Sequence, residues 1–508
     1  MTQQTIHLVL PPVLPYRIYR YSISIISVLQ AFYNVLVFDQ SRGKNKMLKF
    51  LMRICSFNFG TFERAEFKKF LYMGGIFAVI IGVYWTLRPL KDALFIQLVD
   101  KMHLPYAKTV SVIALLPLVI FYTKLLERTS RERMLIILPT FYGFTVLLFS
   151  VLMWSAQGSA DEIASRPFML LLGTKILGYL WYLFVESFGS LVVALFWAFA
   201  TDTTEALSAK RGFPLVVAIG QMGGIVCPYG IGGLPHRIGL TTDTLSIVIL
   251  GCLILSIIPM IRHFLKVTPS NLLVSFHGKN EHEEQAQQEP GFLEGLRLLL
   301  SHRYLIAIFS ANFIYELIIT IFDFNFKLAA SAKYSGVALS NYLSIYGSSV
   351  NIVSLLCLLL GISNITRYLG IGVALAAMPI IVGLALFGFM TFNTLSFLFA
   401  LMVGSKAINY ALNGPALKQL YIPTTTDVRF KAQAWIETFG SRASKEAGSI
   451  FNMLLKPLQT SFGQLAGRAH YLTLSGFIGF PFVLVWFVIA IYLGKTFRQA
   501  IKEKKVVC

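Results

Sequence analysis

Charged side chains are scarce in this chain. Lys, Arg, Asp and Glu make up 13% of its 508 residues, while hydrophobic residues make up 56% and the mean hydropathy is +0.67. A soluble globular domain carries about 25% charged residues. Acidic residues are the scarcer kind, 24 against 44 basic ones, and the net charge is +20. In a soluble protein this excess would indicate nucleic acid. Here most of it falls in short loops between apolar stretches, where the positive-inside rule predicts it. We therefore expect an integral membrane protein whose partner is the lipid bilayer, with no nucleic acid.

Cysteine is also rare, and the common catalytic motifs are missing. Five cysteines are dispersed without a CxxC pair, so neither a disulfide framework nor a zinc site is indicated. The chain has no GxxxxGK[ST] phosphate loop, no complete dinucleotide fingerprint and no HExxH motif. No segment is large and polar enough for a nucleotide-hydrolysing domain. We expect no enzyme, no cofactor and no metal, which leaves a secondary transporter driven by gradients or by exchange.

Long apolar runs dominate what is present. A run of about 20 residues can cross a bilayer as a helix, and we place twelve. They lie near 70–99, 107–125, 134–154, 167–200, 212–234, 244–265, 304–328, 340–361, 368–390, 392–412, 433–457 and 470–494. With both ends on one side, the N-terminal segment after Arg20, the even-numbered loops and the tail hold 30 of the 44 Lys and Arg, against 10 for the odd-numbered loops with the charged ends of their spans. Two more lie mid-span (Lys175 and Lys406) and two lie upstream (Arg17 and Arg20). This bias predicts that both termini are cytoplasmic, and we expect a bacterial inner membrane.

The longest polar connection divides the chain into two groups of six spans. This is the layout of a transporter with two helical halves and a binding site between them. The predicted units are a basic N-terminal extension at 1–69, a first half at 70–265, a linker at 266–301, a second half at 302–494 and a basic tail at 495–508. The extension could be an extra span or an interfacial helix.

The first span carries charges within its apolar run. A charged residue at the centre of a membrane helix costs roughly 2.5–3.5 kcal/mol on insertion scales. Arg88 and Lys91 are three residues apart and share a helix face, followed directly by Asp92. A positive face inside a bundle suggests a pathway for an anion. Alternatively, the span ends near Leu87 and these side chains reach the headgroup zone. The apolar residues 93–99 favour the first interpretation.

Spans four and seven carry further charges. Lys175 and Glu186 are eleven residues apart and share a face. Glu186 could bind a proton, orient a cationic partner or repel a wrong substrate, or it could form a buried pair that only fixes helix packing. In span seven Glu316 and Asp323 are two turns apart, and Lys327 is placed to pair with Asp323. Two lysines near span ten complete the set, Lys406 and Lys418.

Short motifs follow one another in a fixed order along the chain. They are 84–92 with its LR..KD core, ESFGS at 186–190, LFWAFA at 195–200, AKR at 209–211, NY at 409–410, YIP at 421–423, FKAQA at 430–434 and GSRASKEAG at 440–448. Over about residues 65–495 their order and spacing resemble the nucleotide transporter (ATP:ADP translocase) family of plastids and obligate intracellular bacteria. The resemblance implies an all-α integral membrane fold of about twelve helices in a 6+6 major-facilitator-like arrangement.

The resemblance also implies roles for the charged residues. Lys91, with Arg88 beside it, would bind the polyphosphate of ATP or ADP, assisted by Lys327 and Lys418. Arg would act as a hydrogen-bonding fork and Lys as a point charge. The carboxylates that we expect to gate or couple transport are Asp92, Glu186, Glu316 and Asp323.

Three positions depart from the family pattern. Leu417 and Asn409 stand where the family has lysines, and Pro89 replaces the first-span aspartate. We expect exchange of ATP for ADP by alternating access, carried out by a monomer. The departures leave two alternatives open. One is a proton-coupled or exchange transporter of another nucleotide, and the other is a non-transporting membrane scaffold or sensor.

Overall fold

The computed structural model describes residues 63–269, 292–359 and 369–508, apart from positions 130, 159–161, 164, 205, 393, 426–427, 429–431 and 504–505. The alternatives for the N-terminal extension, and most of the predicted linker, lie outside the described residues.

The described chain is helical, and no strand occurs within it. The long helices are α1 (Arg64–Leu98), α2 (Leu104–Arg128), α3 (Arg131–Ala156), α4 (Phe168–Asp202), α5 (Ala206–Cys227), α6 (Thr244–Val267), α7 (Arg303–Lys333), α8 (Gly336–Leu359), α9 (Ile371–Thr391), α10 (Leu395–Ile408), α11 (Ser441–Met453) and α12 (Gln464–Glu503). Between them lie shorter helices at Lys101–His103, Leu234–Arg237, Phe292–Ser301, Gly414–Gln419, Gln433–Trp435 and Leu455–Phe462. Three π-helical turns cover Pro228–Gly232, Asn409–Asn413 and Ile436–Gly440.

Ten helices of the described chain are long and apolar enough to cross a membrane. The predicted spans near 340–361 and 433–457 correspond to α8 and to a broken run ending in α11, and neither belongs to those ten. Large apolar side chains also face outward, such as Trp154 and Met169, which are 69% and 77% exposed. An outer surface of this kind suits hydrocarbon, and helices satisfy their backbone groups internally. The predicted all-α integral membrane fold is confirmed.

Buried apolar side chains form two clusters that follow the order of the chain. One cluster is built from residues between Phe67 and Phe264. The other is built mainly from residues between Leu299 and Leu493, joined by a few from the first group of helices such as Trp85. Helices α1–α6 and α7–α12 therefore each surround a core of their own, and α1 touches both cores. These two groups are called the halves below.

Helix α1, which carries the charges of the first span, is held in position by close packing against α5. α1 packs more extensively on α5 than on any other element. A Cβ atom at Gly223 would overlap the carbonyl oxygen of Ala78, so α5 can approach this closely only with glycine at that position. Gly223 in the predicted fifth span therefore serves helix packing.

The two halves meet at the end of the bundle where α1 and α7 finish. There α8 packs against α1 and α5, and α11 packs against α2. Ser348 Oγ donates to the carbonyl oxygen of Ile225 at 2.9 Å, and Ser340 Oγ donates to Asp243 Oδ2 at 2.6 Å. Both hydrogen bonds cross between the halves. We call this region the closed end.

Contacts at the opposite end hold each half together. Arg211 Nη2 donates to Glu66 Oε1 at 3.0 Å, which joins α5 to α1. In the second half the Tyr304 hydroxyl donates to the carbonyl oxygen of Leu420 at 2.9 Å. Among the described residues, the contacts between the two halves are therefore concentrated at the closed end.

Candidate functional site

A cavity of about 360 Å³ lies between the two halves. Its volume falls in the range of small-molecule sites, about 300–1,000 Å³. Its basic lining residues are Arg88, Lys91, Lys108, Lys327, Lys406, Arg442 and Lys445. Its acidic lining residues are Asp92, Glu186, Glu316, Asp323 and Glu446. Seven positive and five negative groups leave a net charge of +2 on the described lining, which favours an anionic ligand.

Helical spacing brings these charges to one place. On α1, Arg88 and Lys91 are three residues apart and both reach the cavity. On α7, Glu316 and Asp323 are seven residues apart, and Lys327 follows four residues later. Each set therefore forms one polar stripe on an otherwise apolar helix, and the two stripes face each other across the boundary between the halves.

Asp323 is the centre of a network of lysines. Lys327 Nζ lies 2.5 Å from Asp323 Oδ2 and 2.7 Å from Asp92 Oδ2. Lys406 Nζ lies 3.3 Å from Asp323 Oδ1, and Lys108 Nζ lies 3.6 Å from Asp323 Oδ2. Leaving one partner of a buried ion pair alone costs about 3–5 kcal/mol. These groups therefore depend on one another for charge compensation.

Part of this network joins the halves. The Lys327–Asp92 pair connects α7 to α1, and the Lys108–Asp323 pair connects α2 to α7. Near them, Thr109 Oγ1 donates to Glu446 Oε1 at 2.5 Å, which ties α2 to α11. Separation of the halves here would break all three contacts.

Among the described residues, the contacts of the Lys91 ammonium group are all with residues of the first half. Its ammonium group donates to Glu186 Oε1, lies 3.7 Å from Asp92 Oδ1 and lies 3.9 Å from the centre of the Tyr182 ring. A cation over an aromatic face gains further stabilisation when it is shielded from water. Lys91 is only 3% exposed, so it is held from three sides.

Three other cations of the cavity have no close carboxylate partner among the described residues. Within the described chain Arg88 has no hydrogen-bond or ion-pair partner, and its guanidinium lies 5.7 Å from the Trp85 ring centre. Arg442 likewise has no carboxylate within ion-pair distance among those residues. Lys445 Nζ lies 3.8 Å from Glu316 Oε1, near the limit for an ion pair, and its side chain is 50% exposed. These three groups are available to a ligand.

Aromatic side chains surround Arg88. The Tyr84 and Tyr410 rings both contact the Trp85 ring edge to face, with centroids 6.0 Å and 6.3 Å apart. Tyr84 and Tyr410 line the cavity. Tyr410 lies in the π-helical turn at Asn409–Asn413, and such turns are frequent at functional sites.

Seven of the eight predicted site residues line the cavity. They are Arg88, Lys91, Asp92, Glu186, Glu316, Asp323 and Lys327. Lys418 is exposed on the short helix Gly414–Gln419 and does not line the cavity. Lys175, which was predicted to share a face with Glu186, is also exposed and outside it.

Several residues that line the cavity had no role predicted from the sequence, namely Lys108, Arg442, Lys445 and Glu446. A usable signal existed on α11. Arg442, Lys445, Glu446 and Ser449 recur at spacings of three, four and seven, which place them on one helix face. Lys108 carried no such signal, because it stands near the start of a predicted span, where an interfacial lysine is ordinary.

The architecture is similar to that of solved membrane transporters. A bacterial homologue of the iron transporter ferroportin gives a TM-score of 0.55 at 11% identity, covering 85% of this chain and 98% of that one. The nucleoside transporter NupG gives 0.54 at 11% identity, covering 83% and 98%. At such identity the likeness concerns the fold. Two helical halves around a charged cavity give the chain a major-facilitator-like fold.

Sequence comparison identifies the family. Residues 45–497 match the TLC ATP/ADP transporter family, and the chain belongs to it. It is 25% identical to the plastidic ATP/ADP-transporter of Solanum tuberosum, over 87% of this chain and 75% of that protein. It is 23% identical to ADP,ATP carrier protein 1 of Rickettsia typhi, over 87% and 96%. The resemblance carried by the sequence motifs is confirmed.

Proposed function

We propose that this protein exchanges ATP for ADP across a membrane by alternating access, with cations of the cavity binding the polyphosphate. The observation that carries the proposal is a net positive cavity between two halves that are fastened together at one end. The relatives named as ADP,ATP carriers support the same substrates. The proposal includes a bacterial inner membrane, cytoplasmic termini and a monomeric carrier.

Ion-pair exchange is the proposed coupling mechanism. In the empty cavity Asp92, Glu186, Glu316 and Asp323 balance the lysines. A bound polyphosphate adds negative charge next to these pairs and repels their carboxylates. The inter-half pairs Lys327–Asp92 and Lys108–Asp323 then weaken, and the closed end can open. A ligand shifts such an equilibrium only by binding the two states with different affinity, and this rearrangement supplies the difference.

Uptake by proteoliposomes tests the proposal. Purified protein is reconstituted with ADP, GDP or buffer inside, and entry of labelled ATP is followed for the wild type and for Lys91→Ala. We expect uptake that requires internal ADP and is lost in Lys91→Ala, because the variant leaves Glu186 as an uncompensated negative group at the cavity. Absence of uptake under every condition, from folded wild-type protein, would favour the scaffold or sensor alternative.

A second candidate function has one specific observation in its favour. Asn409 lines the cavity at a position where the family resemblance places a lysine. The cavity therefore has one cation fewer than the family pattern implies, which suits a nucleotide other than ATP or a proton as the coupling ion. Uptake into liposomes without internal nucleotide, driven by a pH gradient, would support this candidate.

A further inference from the structure

The cations of the cavity fall into two groups with different partners. Lys91, Lys108, Lys327 and Lys406 are all in contact with carboxylates of the cavity. Arg88 and Arg442 have no carboxylate partner in the described part of the chain, and Lys445 has only a long, half-exposed one. A ligand anion can bind the second group without displacing a protein carboxylate.

We propose that Arg88, Arg442 and Lys445 hold the phosphate chain, whereas Lys91 and Lys327 are counter-charges for protein carboxylates. This inference rests on the proposed function and names the phosphate ligands within the same cavity. It differs from the expectation based on family resemblance, which gives Lys91 and Lys327 to the polyphosphate.

The positions of the three cations suit a chain of phosphate groups. Arg442 and Lys445 are three residues apart on α11, share one face and line the cavity. Arg88 reaches the same cavity from α1 in the other half. Arg88, Glu316 and Lys445 line the same cavity, so α1 and α11 present their charge to a common space.

Packing holds α11 in this position. A Cβ atom at Gly448 would lie 2.9 Å from the carbonyl oxygen of Leu317 and 2.8 Å from Thr320 Cβ. The glycine lets α11 lie directly against α7. The opposite contact is the hydrogen bond from Thr109 on α2 to Glu446. Arg442 and Lys445 are therefore carried by a helix that contacts both halves.

The chemistry of the side chains agrees with this division. Arginine presents a planar fork of donors that matches phosphate oxygens with two hydrogen bonds, and it keeps its charge in a partly dry site. Moving Lys91 to a phosphate would strip Glu186 of its ammonium partner. Moving Lys327 would leave Asp92 with only its longer contact to Lys91 at 3.7 Å, and part of the charge of Asp323 uncompensated. Asp92 and Asp323 are buried, so unpaired charges there are strongly unfavourable.

A phosphate chain bound in this way touches both halves. Arg88 belongs to the first half, while Arg442 and Lys445 belong to the second. Binding would therefore depend on the distance between the halves, and the affinity would differ between the conformations of the carrier.

Substitutions that separate binding from turnover test the inference. We expect Arg442→Gln and Lys445→Gln each to raise the KM for ATP at least tenfold while the maximal rate changes less than threefold. Arg442→Lys should recover part of the affinity. Lys456→Gln removes an exposed lysine outside the cavity and is the matched control with wild-type KM.

Lys91 provides the opposite test. Lys91→Gln should lose transport, and the double variant Lys91→Gln/Glu186→Gln should recover at least a third of the wild-type rate, because it removes both members of the pair. If Lys91 were a phosphate ligand, the double variant would stay inactive. Wild-type KM in both Arg442→Gln and Lys445→Gln, or an inactive, folded double variant, would overturn the inference.

Direct binding separates this inference from the proposed function. Binding of labelled inorganic tripolyphosphate to detergent-purified protein is measured for the wild type, Arg442→Gln and Lys456→Gln. In one outcome, tripolyphosphate binding is lost only in Arg442→Gln, while the wild type transports neither ATP nor ADP. This outcome would support the phosphate site and reject nucleotide exchange. In another outcome, the wild type transports nucleotide and Arg442→Gln still binds tripolyphosphate like the wild type. This outcome would reject the proposed phosphate site and support nucleotide exchange. A wild type that neither binds nor transports would reject both.

Discussion

Asp323 has more cationic partners than any other carboxylate in the cavity. Three lysines lie within 3.6 Å of it, and they come from α2, α7 and α10. Replacing Asp323 with Asn would leave these ammonium groups with a neutral neighbour. The local charge of the cavity would become more positive, and the pair that links α7 to α2 would be lost.

We therefore expect Asp323→Asn to lower the exchange rate at least tenfold, while membrane insertion and yield stay near wild type. The network that holds the halves would be altered, whereas the apolar surface of α7 would be unchanged. Exchange rate and yield are measured together. Asp323→Glu keeps the charge and is the control, with a rate above that of Asp323→Asn. An unchanged exchange rate and pH response in Asp323→Asn would reduce Asp323 to a packing residue.

Asp243 is a buried carboxylate at the closed end. Burial raises its pKa to about 6, although Ser340 Oγ donates a hydrogen bond to it. Because the folded-state pKa lies above that of the unfolded chain, folding favours the protonated form. The free energy of unfolding therefore falls as pH rises from about 4 through 6, by up to about 3 kcal/mol from this group.

Asp243→Asn should remove this penalty. We expect the variant to melt at a higher temperature than the wild type at pH 8, with a smaller difference at pH 5, where Asp243 is largely neutral in the wild type. Thermal unfolding in detergent at the two pH values gives the comparison. Asp100→Asn, at an exposed position, is the control. An equal difference at both pH values would show that the charge of Asp243 is not the cause.

Residues that interrupt an apolar run could be recognised from sequence. Arg88, Asp92 and Asp323 stand out because charge inside a membrane helix is expensive. Arg442 and Lys445 lie inside the predicted span 433–457 but were given no role, because they stand among other polar residues and do not interrupt an apolar run. Lys418 was expected at the site, but one residue turns a helix by about 100°, and the π-helical turn before it changes which side chains face inward.

At the scale of elements, the contact of α1 with α5 determines where the first-span charges lie. Gly223→Ala should separate these helices and lower the stability by about 1–3 kcal/mol, the usual effect of overpacking. The loss of exchange should be larger than the loss of protein, because Arg88 and Lys91 move with α1.

Melting temperature in detergent and exchange rate are the measurements. Gly173→Ala is the matched control, since nothing lies within 4 Å of a Cβ at Gly173 and alanine favours a helix. It should leave both values at or above those of the wild type. A Gly223→Ala protein that melts and exchanges like Gly173→Ala would contradict the importance of this contact.

Hydropathy located most helices but not their true limits. The first and last predicted spans, 70–99 and 470–494, correspond to α1 at Arg64–Leu98 and α12 at Gln464–Glu503. An apolar window detects only the part of a helix in hydrocarbon, whereas backbone hydrogen bonds continue into polar flanks. The predicted span 433–457 is interrupted by the π-helical turn Ile436–Gly440. Hydropathy has no signal for a change in helical hydrogen bonding.

At the scale of the whole molecule, the two halves are fastened at the closed end and enclose a charged cavity. The division into halves could be predicted from the polar linker, because a long polar segment between apolar runs lies outside the bilayer. Which end is closed could not be predicted. It depends on pairs such as Ser340 with Asp243, whose residues are 97 positions apart.

A reversible cross-link at the closed end tests whether opening there is part of the transport cycle. In a background without the five native cysteines, Ser340→Cys and Asp243→Cys are combined, since their side chains are 2.6 Å apart across the halves. Oxidation should stop ATP/ADP exchange and reduction should restore it, because a disulfide would hold the halves together at that end. The matched control joins Glu66→Cys to Ser208→Cys, a hydrogen-bonded pair within the first half. Its oxidation should leave more than half of the exchange rate, since α1 and α5 move together as one half. Full exchange by the oxidised Ser340→Cys/Asp243→Cys protein, with the disulfide verified, would show that the closed end need not open. Alternating access between these two halves would then be wrong for this carrier.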